Sequence, residues 1–228
     1  MAAYLAALAS DAPAALTPLS PAAGVQPTRP ILSCISTTAS SSGLRDAMLA
    51  CRRCPKLVES RSRVVPGDGA IPAEVAFIGL APGRFGGDRT GIPFDGDRSG
   101  ELLRRMIKHV RLRSVFITNV VRCNPRDEHG RNRDPDAVEI ANCRSHLMAE
   151  LALVCPRLVV CLGRIAWKAL AGRDYPFELR CTTIVEKEGM RLLPMYHPAY
   201  VIRGAYAEQS YRRDFMRLAR VLPSGPAE

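Results

Sequence analysis

The chain has 228 residues, with 32 Lys and Arg against 22 Asp and Glu and a formal net charge of +10. No apolar run approaches the roughly eighteen residues of a membrane-spanning helix, which argues against a membrane protein. A folded chain this basic points to a polyanionic partner, with a solvated basic surface as the plainer alternative.

Residues 1–43 are mostly Ala, Ser, Pro, Thr and Leu, with one acid, Asp11, and one base, Arg29. Such a segment has little to bury and is expected to be a flexible tail. A secretory signal is the rival reading, but no basic segment precedes the apolar Tyr4–Leu8 run, which Ser10, Asp11 and Pro13 soon break. The net charge therefore belongs to residues 44–228, a stretch of single-domain size. Its arginines crowd two regions, around Arg104, Arg105, Arg111 and Arg113 and around Arg203, Arg212 and Arg213.

The first motif in this domain is "CRRC", with Cys51 and Cys54 on a short basic segment. An apolar strand is expected over Val75–Leu80, running into the glycine-rich "GLAPGRFGGDRTGIPFDGDRSG". Ser99 is expected to cap a helix over Gly100–Val110, followed by a strand over Val115–Val120. Asp134 with Pro135 opens a helix to about Leu153, and a strand over Leu158–Leu162 leads directly into a helix over Arg164–Leu170. Thr182–Val185 is a weaker strand, Met190–Met195 a stronger one, and a last helix runs over about Ala207–Val221.

Short β-branched runs alternating with helices predict a three-layer α/β/α sandwich around a mostly parallel, four-stranded central sheet. Ligands of such sheets sit outside the carboxyl ends of the strands. Gly79–Gly100, Asn119–Pro125, Gly163 and His197 with Pro198 should therefore converge.

Cys123 follows a strand in "VVRCNP" and Cys143 lies on the next helix in "IANCRSH". With Cys51 and Cys54 they leave gaps of 2, 68 and 19 residues. A thioredoxin-like motif would follow the first strand, and disulfides lack export evidence. Metal binding remains, by zinc or an iron–sulfur cluster, and spacing favours neither. Cys155, Cys161 and Cys181 read as small buried hydrophobes. His109, His129 and His146 read as solvent-facing.

The glycine-rich loop matches neither common phosphate-binding pattern. Its glycines let a backbone lie against a base or sugar. Phe94 is either a stacking ring or a core aromatic. Asp95 and Asp97 are water binders or helix caps, and His197 is a catalyst or a hydrogen-bonded loop residue.

"GLAPGRFGGDRTGIPFDGDRSG", "ITNVVRCNP", "NRDP", "CLGRIAW" and "YHPAY", with CxxC ahead and Cys143 behind, resemble the iron–sulfur uracil-DNA glycosylases over about Cys51–Phe215. "GLAPG", "GDRTG" and "GDRSG" lean to the type B branch, family five. Gly83 and Asn119 are type A, or family four, features. Leu80 stands where type A carries a glutamate, so that residue's role does not transfer.

The resemblance implies removal of uracil from DNA, with hypoxanthine and xanthine as further bases in range, leaving an abasic site. It implies that the base is flipped out. Phe94 then stacks on the ring, Asn119 pairs with its O4 and N3–H edge, and Leu80, Ala81 and Gly83 line the pocket. Asp97 orients or activates water, His197 donates towards uracil O2, and Asn132 helps hold the water. A structural 4Fe-4S cluster falls on Cys51, Cys54, Cys123 and Cys143. Tyr200, Val201 or Ile202 serves as a wedge that fills the space left by the flipped nucleotide, with Arg203 on a phosphate. The expected form is a cytoplasmic monomer acting on DNA that contains deaminated bases, without membrane attachment. Two alternatives stand beside it: an iron–sulfur DNA-binding protein without glycosidase activity, and a zinc-stabilised nucleotide hydrolase.

Overall fold

The computed structural model describes residues 38–180 and 182–222. The expectation of a tail falls mostly on residues outside this range. Helix α1, Thr38–Leu49, begins inside the segment read as tail, and α2, Pro55–Ser60, follows the CxxC motif.

One sheet then organises the chain. Its strands are β1 (Asp68–Gly69), β2 (Val75–Gly79), β3 (Val115–Asn119), β4 (Leu158–Leu162), β5 (Val185–Lys187) and β6 (Met190–Met195). They lie in the order β1-β3-β2-β4-β6-β5. The four central strands run parallel and are those expected, within a residue at each end. The sheet nevertheless has six strands, because antiparallel β1 and β5 extend its edges. Two-residue β1 has no apolar pattern to reveal it, and β5 starts where the weaker strand was expected to end.

The central strands are buried on both faces, and their side chains divide with period two. Ala76 and Ile78 of β2 with Val159 and Cys161 of β4 pack on one side, against Met48, Leu147, Leu151 and Trp167. Val75, Phe77 and Val160 pack on the other, against Leu103, Met106, Tyr211 and Phe215. Helices α1, α2, α5 (Ala137–Val154) and α6 (Arg164–Ala171) thus cover one face, and α4 (Arg98–His109) and α9 (Glu208–Val221) the other. Each large side chain buried this way contributes roughly 1.5–3 kcal/mol.

Short helices complete the chain: α3 (Gly87–Thr90) in the glycine-rich loop, α7 (Phe177–Arg180), and α8 (Pro198–Ile202) after β6. Two caps differ from expectation. Asp97, not Ser99, caps α4, because its carboxylate accepts from Gly100 N. Asp136, not Asp134, caps α5 through a capping box with Glu139. No helix among the described residues is long and apolar enough to cross a membrane.

The chain passes from β2 to β3 on one side and then crosses to β4 on the other. The sheet therefore reverses direction at β2, and the crevice belongs beside its carboxyl end.

Candidate active site

A cavity of about 660 Å³ opens at that position. Leu80, Ala81 and Gly83 after β2, Asn119 at the end of β3, Gly163 after β4 and His197 after β6 all line it. The converging segments are those expected from the strand ends.

Asn119 is 1 % exposed, and neither its Oδ1 nor its Nδ2 has a hydrogen-bond partner among the described residues. An unpaired buried amide costs about 1–3 kcal/mol, so it is not there for stability. Gly79 makes room for it, since a Cβ there would collide with Asn119 Oδ1 and the Phe94 ring.

Phe94 is both a core aromatic and a residue of the cavity wall. It packs against the core beside Phe77, yet its ring also lines the cavity. Its φ is +52°, an uncommon conformation for a non-glycine residue. The Arg104 guanidinium holds it there, Nε donating to Phe94 O at 3.2 Å and Nη2 to Pro93 O at 3.1 Å. The ring centroid is 5.4 Å from that of His197.

Asp97 also combines two roles. Its Oδ1 caps α4, accepting from Gly100 N at 2.9 Å. Its Oδ2 faces the loop backbone, where a Cβ on Gly83 would lie 3.2 Å away and one on Gly86 would collide with it.

His197 caps α8, its Nδ1 accepting from Ala199 N at 3.1 Å. The ring proton must then sit on Nε2, leaving a neutral donor. Burial, helped by the nearby Arg203 charge, pushes the ring's pKa down to about 4.

Asn132 stands on a loop closed by a bridge between Arg126 and Asn132. Its Oδ1 accepts from Asn124 Nδ2 at 2.9 Å and Arg84 N at 3.1 Å, which fixes the amide. Behind it, Asn124 Oδ1 accepts from Arg126 Nε at 2.8 Å, and Arg126 pairs with Asp88 at 2.5 Å. Asp88 is fully buried and also accepts from Ser62 N at 3.0 Å. Sequence reasoning missed Asp88, Asn124 and Arg126. The "GGDRTG" and "RCNPR" segments contain them, but nothing local separates a supporting residue from its neighbours.

Of the expected wedge, Tyr200 is 38 % exposed and Arg203 is exposed, and both line the cavity. Val201 is buried at 9 % and Ile202 packs against the same core cluster. The cause is α8, which turns that face of "PAYVI" inward, so Val201 is not available as a wedge in this conformation.

The four cysteines come from the segment before α2, from the loop after β3 and from α5. Arg61 Nη1 donates to Cys123 Sγ at 3.1 Å, and Asn142 Nδ2 to Cys54 Sγ at 3.5 Å. Burial, with Cys143 and Cys51 nearby, pushes the Cys123 thiol up to about 11 despite Arg61. Burial also raises Cys54, with Cys143 and Cys51 adding to it. At Cys51 burial is outweighed by hydrogen bonds from Arg53 and the charges of Arg53 and Arg61, and its thiol lies below the usual range. Among the described residues no three His, Cys, Asp or Glu side chains form a group that could hold a metal ion.

Cys161 is fully buried, as expected. Cys155 is only half-buried, which corrects its reading as a buried hydrophobe, and Cys181 lies outside the described residues. His146 is also half-buried, with burial and the Arg53 and Arg122 charges lowering its pKa, so it does not simply face solvent.

Residues 66–219 match the family model described as the uracil DNA glycosylase superfamily. The chain is 35% identical over 187 residues to a type-4 uracil-DNA glycosylase of Archaeoglobus fulgidus, covering 76% of this chain and 89% of that protein. It is 32% identical over 192 residues to a type-4 enzyme of Sulfurisphaera tokodaii, covering 77% and 81%. A type-5 uracil-DNA glycosylase of Pyrobaculum aerophilum is 35% identical over 186 residues, covering 67% and 79%. Relatives of both types thus stand at the same 35% identity, in keeping with the mixed motifs.

Proposed function

This chain belongs to the uracil DNA glycosylase superfamily, and we propose from that premise that it excises uracil from DNA by hydrolysing the N-glycosidic bond, leaving an abasic site. The observation that carries the reading is Asn119: a buried amide, unpartnered among the described residues, in a cavity that Phe94 and His197 also line. An amide offers one donor and one acceptor side by side, which complements O4 and N3–H of uracil.

The target base is extruded into the cavity. Phe94 stacks on it, Asn119 reads its edge, and the backbone of Leu80, Ala81 and Gly83 forms the wall. As the bond breaks, positive charge grows on the sugar and negative charge on the departing base. Asp97 Oδ2 orients the attacking water and stabilises the sugar cation, while Asn132 Nδ2 holds the same water. Neutral His197 donates from Nε2 to uracil O2 and stabilises the leaving anion without having to give up a full proton. Tyr200 and Arg203 bear on the DNA beside the extruded nucleotide.

On this reading Cys51, Cys54, Cys123 and Cys143 would hold a 4Fe-4S cluster, which would have to draw together thiols that form no metal-holding group as they stand. Four thiols, with N–H groups of Arg61 and Asn142 donated to two of the sulfurs, make a soft donor set of the kind iron–sulfide clusters take. Bound there, the cluster would tie the segment before α2 to the β3 loop and α5, with no part in hydrolysis. The protein acts as a cytoplasmic monomer on this reading, with hypoxanthine and xanthine within its range.

The test is release of free base from matched duplexes carrying uracil, hypoxanthine or xanthine, by wild type and by Asp97→Asn. Uracil release abolished by that one change is the expected result. Undiminished release by the variant would remove Asp97 from the mechanism, and no release by wild type would leave only the family fold.

A further inference from the structure

We infer that Phe85, with Arg84 stacked on it, is a DNA-contact residue that stacks on a nucleobase neighbouring the extruded one, across the cavity mouth from Tyr200. The inference rests on the glycosylase reading above and extends it to a part of the glycine-rich loop that no role has absorbed.

Phe85 is 71 % exposed, more than any other large apolar side chain among the described residues. A single exposed apolar residue is ordinary. What distinguishes this one is how firmly its backbone is held. Gly86 N donates to Gly83 O at 3.1 Å, closing a turn with Phe85 inside it. Arg84 N donates to Asn132 Oδ1 at 3.1 Å, and Arg84 Nη1 to Gly130 O at 2.8 Å. The same guanidinium lies 5.2 Å from the Phe85 ring centroid. The ring is thus presented by a rigid turn two residues from Gly83, which lines the cavity.

The β6 side carries a matching pair, with the Arg203 guanidinium 5.4 Å from the Tyr200 ring. In the order β3-β2-β4-β6, the Arg84–Phe85 pair is braced on the β2 and β3 loops and the Tyr200–Arg203 pair follows β6. One pair thus directly follows Gly83 of the cavity wall and the other belongs to that wall, on loops from strands either side of β4. An aromatic face for a base beside a guanidinium for a phosphate is the usual composition of a nucleic-acid stacking site. Both rings are pre-positioned, so little ordering cost falls on binding. With Val201 in the core, Phe85 is the apolar side chain positioned to enter the stack.

The test uses the full chain and a short duplex containing a tetrahydrofuran abasic analogue, which is not cleaved. Phe85→Ala should weaken binding roughly 5- to 150-fold, the range expected for one lost base stack. Phe85→Trp should retain affinity. Its introduced indole should lose fluorescence and acrylamide accessibility on binding, against a constant background from Trp167, which is 1 % exposed. Thermal melts of both variants should match wild type. Equal affinity of Phe85→Ala and wild type, or an indole still open to acrylamide in the complex, would overturn the Phe85 contact alone. Failure of wild type to bind the duplex would overturn both this contact and the glycosylase reading.

Discussion

Asp97 Oδ2 occupies the space into which a side chain on Gly86 would project. The other oxygen of that carboxylate caps α4. Geometry and stability at this residue can therefore be separated. Gly86→Ala should displace the carboxylate and lower kcat about 10²-fold, the usual effect of moving a catalytic group by about 1 Å. Asp97→Asn keeps a good cap and should melt within a few degrees of wild type while losing activity. Asp97→Ala should lose activity and about 1 kcal/mol of stability. Thermal melts beside single-turnover rates distinguish the three.

Asn119→Ala removes two polar atoms that are unpaired among the described residues, as well as the proposed reading group. The relief should offset most of the lost packing, leaving stability within about 1 kcal/mol of wild type. Uracil excision should fall roughly 10²-fold, as two hydrogen bonds of about 1–1.5 kcal/mol each would give. Urea unfolding and base release measured on one preparation check both parts.

Asp88 and Asn132 lie at opposite ends of one hydrogen-bonded chain, but only Asp88 is buried. Asp88→Asn breaks a buried ion pair and should cost about 3 kcal/mol, together with a fall in excision as Asn132 loses its support. Asn132→Ala should lower excision with little change in stability. Chemical denaturation of the two variants separates them, and equal stability losses would refute the arrangement.

His197 takes up a proton in the unfolded chain near its ordinary pKa of 6.5, but in the folded protein only near about 4. Between those values the unfolded state binds more protons, so stability falls as pH drops from 6.5 towards 4. His146, also lowered, adds in the same direction. Urea midpoints should decline over that window, and less steeply in His197→Asn. Activity should show no limb near 6.5 from His197, because the working form is neutral on both sides of it.

Wild-type protein purified without oxygen should be brown and contain iron and sulfide. Cys143→Ser should lose that colour and melt at a lower temperature, with far-UV circular dichroism reporting how much of α5 survives. Colourless wild-type protein holding stoichiometric zinc would replace the cluster with a zinc site.

Much of this was legible because parallel strands announce themselves. Val75–Gly79, Leu158–Leu162 and Met190–Met195 are apolar runs bounded by turns, and the position of the cavity follows from their carboxyl ends. Edge strand β1 gave no such signal, since two residues on a sheet margin bury almost nothing. Asp97 was legible as an acid at a helix start, but not as a cap whose second oxygen faces the Gly83–Gly86 loop, because that depends on which oxygen meets which loop. The burial of Val201 was not legible for a related reason. A sequence shows that "PAYVI" is apolar, while the rotation of α8 decides which of its side chains are buried. Asp88, Asn124 and Arg126 were invisible as a set, since only the fold brings residues 88, 124 and 126 into line behind Asn132.

The site is shared between two consecutive halves of the chain. Asn119, Phe94 and Asp97 precede α5, whereas Gly163, His197 and Tyr200 follow it, and the halves meet along the β2–β4 pairing from Val75 with Leu158 to Ile78 with Cys161. On the proposed mechanism, the groups that would recognise the base and hold its water belong to one half, and the group that would receive the departing charge to the other. On that mechanism, and provided the four-residue seam is kept, the bases accepted could drift through substitutions around Phe94 and Asn119 while the donor to the leaving base is inherited unchanged in the second half.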